Sequence, residues 1–327
     1  MDSDRRTTGA TGIGLATIAD TGQVLDTWFH RLSLSSEISS SGTTGLSAEE
    51  VAREFGPQGG QAVRRDLRRD VNIVAVRTRI KHLDDAVLDV HDAYLRLHLL
   101  SHRLIRPREA SFEGLVPLLP MVAWTSIGPC LPERADAAHW ASRRTGFEFS
   151  VKGTFKVPKM LDYVVPRGVA ISNADRVMLG AYLAPGTTMA PEGFCSINAG
   201  TLGPTMVEGR ISAGVVVGEG TDIGGGASIM GTYSGGGKQV ITIGRNCLLG
   251  ANSGVGISLG DNCVVEAGCY ITAGAVVTLN SGDAVKAVEL SGRPNFLFRR
   301  NSRTGQLEAL EGKARWPGLN PMLHHNE

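Results

Sequence analysis

The sequence predicts a mainly β protein. A left-handed parallel β-helix of six-residue repeats is expected over residues 156–286, behind an N-terminal α+β domain (1–155) and ahead of a short C-terminal tail (287–327). Three observations carry this expectation. Apolar or small residues recur every six positions between 165 and 277, and turn formers fall between them. Glycine is in excess, with 42 residues against 9 Phe, 5 Tyr and 4 Trp. A Gly-rich, aromatic-poor composition suits disorder, but the 42% hydrophobic content argues against it. A repeat accounts for both facts.

The steps of six run through Val165, Ile171, Val177, Leu183, Met189, Cys195, Thr201, Val207 and Ala213, then shift by four to Val217, Ile223 and Ile229. They resume at Ile243 and Leu249, and again at Leu259, Val265, Ile271 and Val277. This period fits neither an amphipathic helix nor a two-sided strand. It fits a coil with three short strands per turn, each sending one side chain to the axis. Such coils are a left-handed exception to the usual crossover rule. Pro185-Gly186, Gly224-Gly225-Gly226, Gly260-Asp261-Asn262 and Ala273-Gly274 suit the corners. Two breaks interrupt the rhythm. The stretch 231–239 is too Gly-rich for a coil strand and is expected to loop out, and 251–257 is expected as a smaller bulge.

Ahead of the repeats, 13–18 and 24–29 flank Asp20-Thr21-Gly22 as a hairpin. The Ser/Gly/Thr-rich 33–45 is expected as a flexible loop, and 72–80 alternates like a strand. Val90, Ala93, Tyr94, Leu97 and Leu104 follow helical spacing within 85–105, which Arg106-Pro107 ends. After Lys286 the chain is polar, and Pro294, Pro317 and Pro321 speak against long regular structure.

Several functions are disfavoured by composition. A net charge of +1 gives no electrostatic reason for nucleic acid or an acidic membrane surface. No run reaches the ~18 apolar residues of a membrane span. The five cysteines form no C-x-x-C pair, so neither zinc nor a disulfide framework is indicated. Free thiols and the lack of an apolar leader after Met1 suggest the cytoplasm.

A coil of this kind makes acyl-CoA-dependent acyl transfer the leading chemistry. All eight histidines lie outside 165–280: His30, His82, His91, His98, His102, His139, His324 and His325. A zinc site of three imidazoles within the coil is therefore excluded, as is a coil histidine acting as base. The remaining acid-base candidates there are Asp175, Glu192, Glu208, Glu219, Asp222, Asp261 and Glu266. Glu208 stands out because it follows the inward Val207 and is succeeded by Gly209-Arg210. An Arg two residues along one strand shares its face and suits an anionic acyl group. Against this, a lone Glu in a repeat protein is more often a solvated surface charge.

Longer blocks carry a resemblance. They are Leu179-Gly-Ala-Tyr-Leu-Ala-Pro-Gly, Asn198-Ala-Gly-Thr-Leu-Gly, Met206-Val-Glu-Gly-Arg-Ile-Ser-Ala-Gly, Gly224-Gly-Gly-Ala-Ser-Ile-Met-Gly-Thr and Cys247-Leu-Leu-Gly-Ala-Asn-Ser-Gly, with Val264-Val-Glu-Ala-Gly, Phe298-Arg-Arg-Asn-Ser and Asp92-Ala-Tyr-Leu-Arg-Leu-His. Together they resemble the actinobacterial type of tetrahydrodipicolinate N-succinyltransferase. The resemblance implies a homotrimer that moves succinyl from succinyl-CoA to tetrahydrodipicolinate in lysine and diaminopimelate synthesis, with Glu208 as the catalytic carboxylate, nucleophile or general base. It assigns succinyl-CoA contacts to Arg210, Gly225, Ser228, Ala251, Glu266, Ala267, Gly274, Lys286, Arg299, Arg300, Asn301 and Ser302. It assigns Mg²⁺ at the threefold axis to Asp175 and Glu192. The chain departs from the family pattern at Cys195-Ser196-Ile197 and at Thr154-Phe-Lys-Val-Pro-Lys. Because these lie close to the expected acceptor position, a different amine acceptor stays open, as does a catalytically weak partner of an active trimer.

Overall fold

The computed structural model describes residues 8–231, 240–324 and 326. From 232 onward, the loop expected at 231–239 lies outside the described residues. The chain forms two compact units, one from Met1–Leu99 and Glu109–Pro158, the other from Leu100–Arg108 and Lys159–Glu327. Among the described residues, no helix is long and apolar enough to cross a membrane.

The first unit is built on an antiparallel sheet. Strands Gly9–Ala19 and Val24–Ser35 form the expected hairpin, and Val71–Ile80 pairs on the other side of the first strand. The turn closes with Gly22 N donating to Ala19 O at 2.8 Å and Gly22 at φ 88°. The expected loop at 33–45 is partly regular. Strand Val24–Ser35 runs into it, and Gly42–Gly45 adds a further strand beside Val71–Ile80, with the Thr43 and Thr78 hydroxyls 2.9 Å apart. β-branched Thr43 and Thr44 suit a pleated edge better than their polar neighbours suggested.

The helix observed is Val90–Ser101, shorter than the stretch 85–105, and Leu104 lies beyond it, exposed. Tyr94, Leu95 and Leu97 are fully buried. His98 is a satisfied core histidine: its Nε2 accepts from Phe29 N at 3.3 Å and its Nδ1 lies 2.8 Å from Tyr94 O.

The second unit is a left-handed parallel β-helix, mostly of two- and three-residue strands stacked on three faces. One face stacks Ala181–Leu183, Ala199–Thr201, Val216–Val217 and Thr242–Ile243. The next carries Thr187–Met189, Thr205–Val207, Thr221–Ile223, Leu248–Leu249 and Val264–Val265. The third carries Phe194–Cys195, Arg210–Ile211, Ser228–Ile229, Gly254–Val255 and Tyr270–Ile271. The last residue of each strand points to the axis: Leu183, Met189, Cys195, Thr201, Val207, Ile223, Leu249 and Val265 are at most 1% exposed. Thr201 is tolerated inside because its hydroxyl meets that of Thr187 at 2.6 Å.

Three details of the rhythm differ from expectation. The ladder starts at Ile171, half-buried in strand Ala170–Ile171, which pairs with Thr187–Met189, whereas Val165 is 79% exposed. The step of four falls between Val207 and Ile211, and Ala213 sits in a turn rather than on the axis. The segment 251–257 is a regular corner followed by strand Gly254–Val255, with Val255 fully buried; the second short step comes after it, before Leu259.

The segment after Lys286 also departs from its expected irregularity. Strands Phe296–Arg300 and Leu307–Glu311 form an antiparallel pair, and the first of them continues the coil by pairing with Val264–Val265. Phe296, Phe298 and Ala309 are almost wholly buried there, closing the apolar axis from water. Segment Leu100–Arg108 anchors the coil further down. The Ser101 hydroxyl donates to Ala181 O at 3.2 Å and accepts from Gly180 N at 2.8 Å, and the Arg108 guanidinium donates to Gly214 O and Ile241 O.

Candidate active site

The four-residue step makes one corner unlike its neighbours. On these two faces, the inward residues are six apart from Met189 to Cys195, Ile223 to Ile229, Leu249 to Val255 and Val265 to Ile271. Between Val207 and Ile211 two residues fewer turn the corner. Glu208 and Gly209 form it, and both amides donate to one carbonyl, Ile223 O, at 2.8 and 3.0 Å. The chain is drawn in so closely that a Cβ on Gly209 would lie 2.5 Å from Ala227 O and 2.9 Å from Gly224 O. The longer corner above reaches over the short one, where a Cβ on Gly225 would stand 3.7 Å from Glu208 Oε2. The Glu208 side chain is exposed in the resulting notch.

Gly209→Ala is a direct check on this geometry. Backbone atoms from two residues crowd the added methyl, so the expected cost is about 1–3 kcal/mol of stability. A thermal melt measures it, and an unchanged melting temperature would mean that the corner has room the distances deny.

Arg210 is close to Glu208 but not on the same strand. Val207 ends one strand, and Arg210 opens the next on another face. Its guanidinium donates to Ser228 Oγ at 2.6 Å, and Ser228 is 8% exposed. Glu208, Arg210, Gly225 and Ser228 are thus brought together around one corner. Ala251, Glu266 and Ala267 continue the same corner upward, all exposed. Asn252 N donates to Gly225 O, Gly268 N to Ala251 O and Glu266 N to Phe298 O, at 2.8–2.9 Å. Arg299, Arg300, Asn301 and Ser302 follow Phe298 at the top.

The cations at that end are not equivalent. Arg299 Nε donates to Glu308 Oε2 at 2.7 Å, and Asn301 Nδ2 to Glu308 Oε1 at 2.7 Å. The Asn301 hydrogen bond first, then the bond and charge of Arg299, hold the Glu308 carboxyl below its usual range. Arg300 Nη1 donates to Gly305 O at 2.7 Å and faces no carboxylate among the described residues. Gly274 and Lys286 form a separate exposed pair at the coil's end, where Ala287 N donates to Ala275 O and Val288 N to Ala273 O.

Asp175 and Glu192 lie at the other end. Both are exposed, Asp175 in the turn Ala174–Arg176, where its carboxylate is paired with Lys159. Among the described residues, no group of three or more His, Cys, Asp or Glu is placed to hold a metal.

Cys195 points to the coil axis at 0% exposure, and burial pushes its thiol up to about 12. It cannot line an acceptor site. The replacement at 195 is a change of core packing, while Ser196 and Ile197 beside it are half-buried. One contact with the coil was invisible in the sequence. His324, in the C-terminal segment, returns to the coil and bonds Gly186 O through Nδ1 at 2.9 Å. A single histidine in a polar, proline-bearing stretch has no periodic signal to announce that contact.

Comparison with known proteins agrees with the fold. The hexapeptide repeat of succinyl-transferase family matches residues 240–273. The 2,3,4,5-tetrahydropyridine-2,6-dicarboxylate N-succinyltransferase of Vibrio cholerae is 54% identical over 249 residues, covering 74% of this chain and 72% of that one. The enzyme of the same name from Pseudomonas aeruginosa is 52% identical over 250 residues, with the same coverage. A crystal structure from Campylobacter jejuni, described as a putative 2,3,4,5-tetrahydropyridine-2-carboxylate N-succinyltransferase, superposes with a TM-score of 0.81 at 28% identity, covering 95% of this chain and 94% of that one. These relatives come from outside the actinobacteria, so they support the family without supporting that subtype. The chain belongs to the tetrahydropyridine-2,6-dicarboxylate N-succinyltransferase family.

Proposed function

We propose that the chain transfers the succinyl group of succinyl-CoA to the nitrogen of 2,3,4,5-tetrahydropyridine-2,6-dicarboxylate, with Glu208 handling the proton, in lysine and diaminopimelate synthesis. Family membership supports the reaction. The observation that supports Glu208 is its exposed carboxylate in the notch under Gly225, beside Arg210.

The chemistry follows from those positions. Once water has added across the ring C=N bond the acceptor nitrogen bears a hydrogen; as it attacks the thioester carbonyl carbon it must lose that proton, and a carboxylate within reach takes it. Arg210 retains donors beyond its bond to Ser228, and a guanidinium suits the free carboxylate of the succinyl group. The open column of Gly225, Ala251 and Ala267 leaves the corner free of bulky side chains along a path toward Arg300 and Lys286. Those two cations suit the CoA phosphates, whereas Arg299 serves mainly to fix the hairpin through Glu308. Mass spectrometry of the product from isotopically labelled succinyl-CoA tests the reaction: a labelled N-succinyl dicarboxylate is expected, and labelled free succinate alone would refute transfer.

The same reading includes a cytoplasmic homotrimer with Mg²⁺ at its axis, held by Asp175 and Glu192 from each copy. Carboxylate oxygens are suitable Mg²⁺ donors, and both side chains are exposed. One chain alone supplies too few ligands, and Lys159 already pairs with Asp175. A metal therefore fits only where copies converge. Light scattering should give three times the 34.6 kDa of one chain. A single-chain mass would remove both the trimer and its axial metal.

A further inference from the structure

The third face of the coil carries a glycine that its backbone does not require. The outward column there is Phe194, Arg210, Ser228, Gly254 and Tyr270, each facing the next across a parallel pair. Gly254 lies in strand Gly254–Val255, and its φ is not positive. A glycine in a strand marks a close approach, and here the approach is aromatic. A Cβ at 254 would collide with Tyr270 Cε1 and Cζ and lie 2.6 Å from Cδ1. The Tyr270 ring therefore reaches back from its own rung and rests on bare backbone at the rung before it. It remains 45% exposed.

The neighbours of that ring give it a use. The next rung down is Ser228, whose hydroxyl accepts from Arg210 at 2.6 Å. Rungs of a parallel coil are ~4.8 Å apart, so the ring over Gly254 stands about one rung above that polar pair. Glu208 sits at the corner from which the Arg210 strand starts. A succinyl group in extended form spans about 4 Å from its free carboxylate to its thioester carbon. With the carboxylate at Arg210, the thioester sulfur and the methylenes beyond it come level with Tyr270. Sulfur and methylenes both gain from contact with an aromatic ring. A ring already resting on the coil loses little freedom in making that contact.

We propose that Tyr270 binds the acyl donor: its ring, resting on Gly254, is the plate against which the thioester sulfur and adjoining methylenes of succinyl-CoA lie. The inference rests on the acyl-transfer reading and adds to it a contact at the thioester end. Arg210 takes the carboxylate end of the succinyl group and Tyr270 the sulfur end, so the carbonyl between them is held beside the Glu208 corner. The spacing of the two contacts is set by the rungs of the coil, which suits a four-carbon diacid. Gly254 serves the site without touching the donor, because any side chain there would lift the ring.

The test uses the full chain carrying Tyr270→Ala, Tyr270→Phe, Gly254→Ala, or Gly254→Ala with Tyr270→Ala. Calorimetric titration with succinyl-CoA should give a Kd raised about three- to tenfold in Tyr270→Ala. Tyr270→Phe keeps the ring and should bind as the wild type does. In Gly254→Ala the exposed ring turns away from the new methyl, so the melting temperature should hold while Kd rises as in Tyr270→Ala. The double variant should add little to either change, since both act through one contact. S-succinyl-N-acetylcysteamine, which keeps only the thioester end of the donor, should lose kcat/KM by a similar factor in Tyr270→Ala. Unchanged succinyl-CoA binding in Tyr270→Ala, or independent effects in the double variant, would overturn the contact while leaving the reaction standing. A Tyr270→Ala chain whose mass by light scattering differs from the wild type would also overturn it, by showing that the ring packs against another copy. A wild-type chain that does not bind succinyl-CoA would remove the acyl-transfer reading, and the contact with it.

Discussion

Glu208→Ala is expected to lose at least ~10² in kcat, the scale of a lost acid-base group, while its fold and its affinity for succinyl-CoA stay unchanged. The side chain is exposed and its removal empties no core, so the melting temperature should hold. The main-chain bonds that shape the corner, Glu208 N and Gly209 N to Ile223 O, do not depend on the carboxylate. Binding and turnover should therefore separate. Calorimetric titration with succinyl-CoA measures the first, and thiol release under saturating substrate the second. Wild-type kcat in this variant would take Glu208 out of the mechanism.

Asp92→Ala should have the largest effect on stability, about 3–5 kcal/mol, because it strands a buried cation. Arg96 is 0% exposed, with Nε bonded to Asp92 Oδ1 at 2.7 Å and Nη1 bonded to Leu83 O and Ser111 O at 2.7 and 2.6 Å. Asp92 also accepts from Leu88 N at 2.8 Å, which fixes the start of helix Val90–Ser101. Domains are stable by only ~5–15 kcal/mol, so such a loss is severe. Urea denaturation measures it, and a change under ~1 kcal/mol would mean that the pair behaves like an exposed one.

The coil was legible because each short strand sends one side chain to the axis, so the period survives substitutions as unlike as Cys195 and Thr201. Its exact phase was harder to read. Ile211 and Ala213 are both acceptable inward residues, and only the backbone decides that the short step comes at Glu208. Val255 was passed over because the step from it to Leu259 is four rather than six, which made 251–257 look like a bulge. The closing hairpin was hidden by its polar surroundings, although Phe296 and Phe298 alternate as a strand should. At the site, the grouping of Glu208 with Gly225 and Ser228 followed from the motifs of the family. The pairing of Arg299 with Glu308 shows only once the hairpin that sets them opposite each other is known, and the return of His324 to Gly186 is a long-range contact that no local pattern encodes. Cys195 shows the converse: within the departure Cys195-Ser196-Ile197, its own share is a matter of core packing, while Ser196 and Ile197 are half-buried.

The most direct measurement is CoA release from succinyl-CoA by the purified chain, followed with a thiol-reactive chromophore, with and without 2,3,4,5-tetrahydropyridine-2,6-dicarboxylate. Rapid release that depends on the dicarboxylate is the expected result. Succinyl-CoA that binds but is released no faster when the dicarboxylate is added would contradict the proposed reaction.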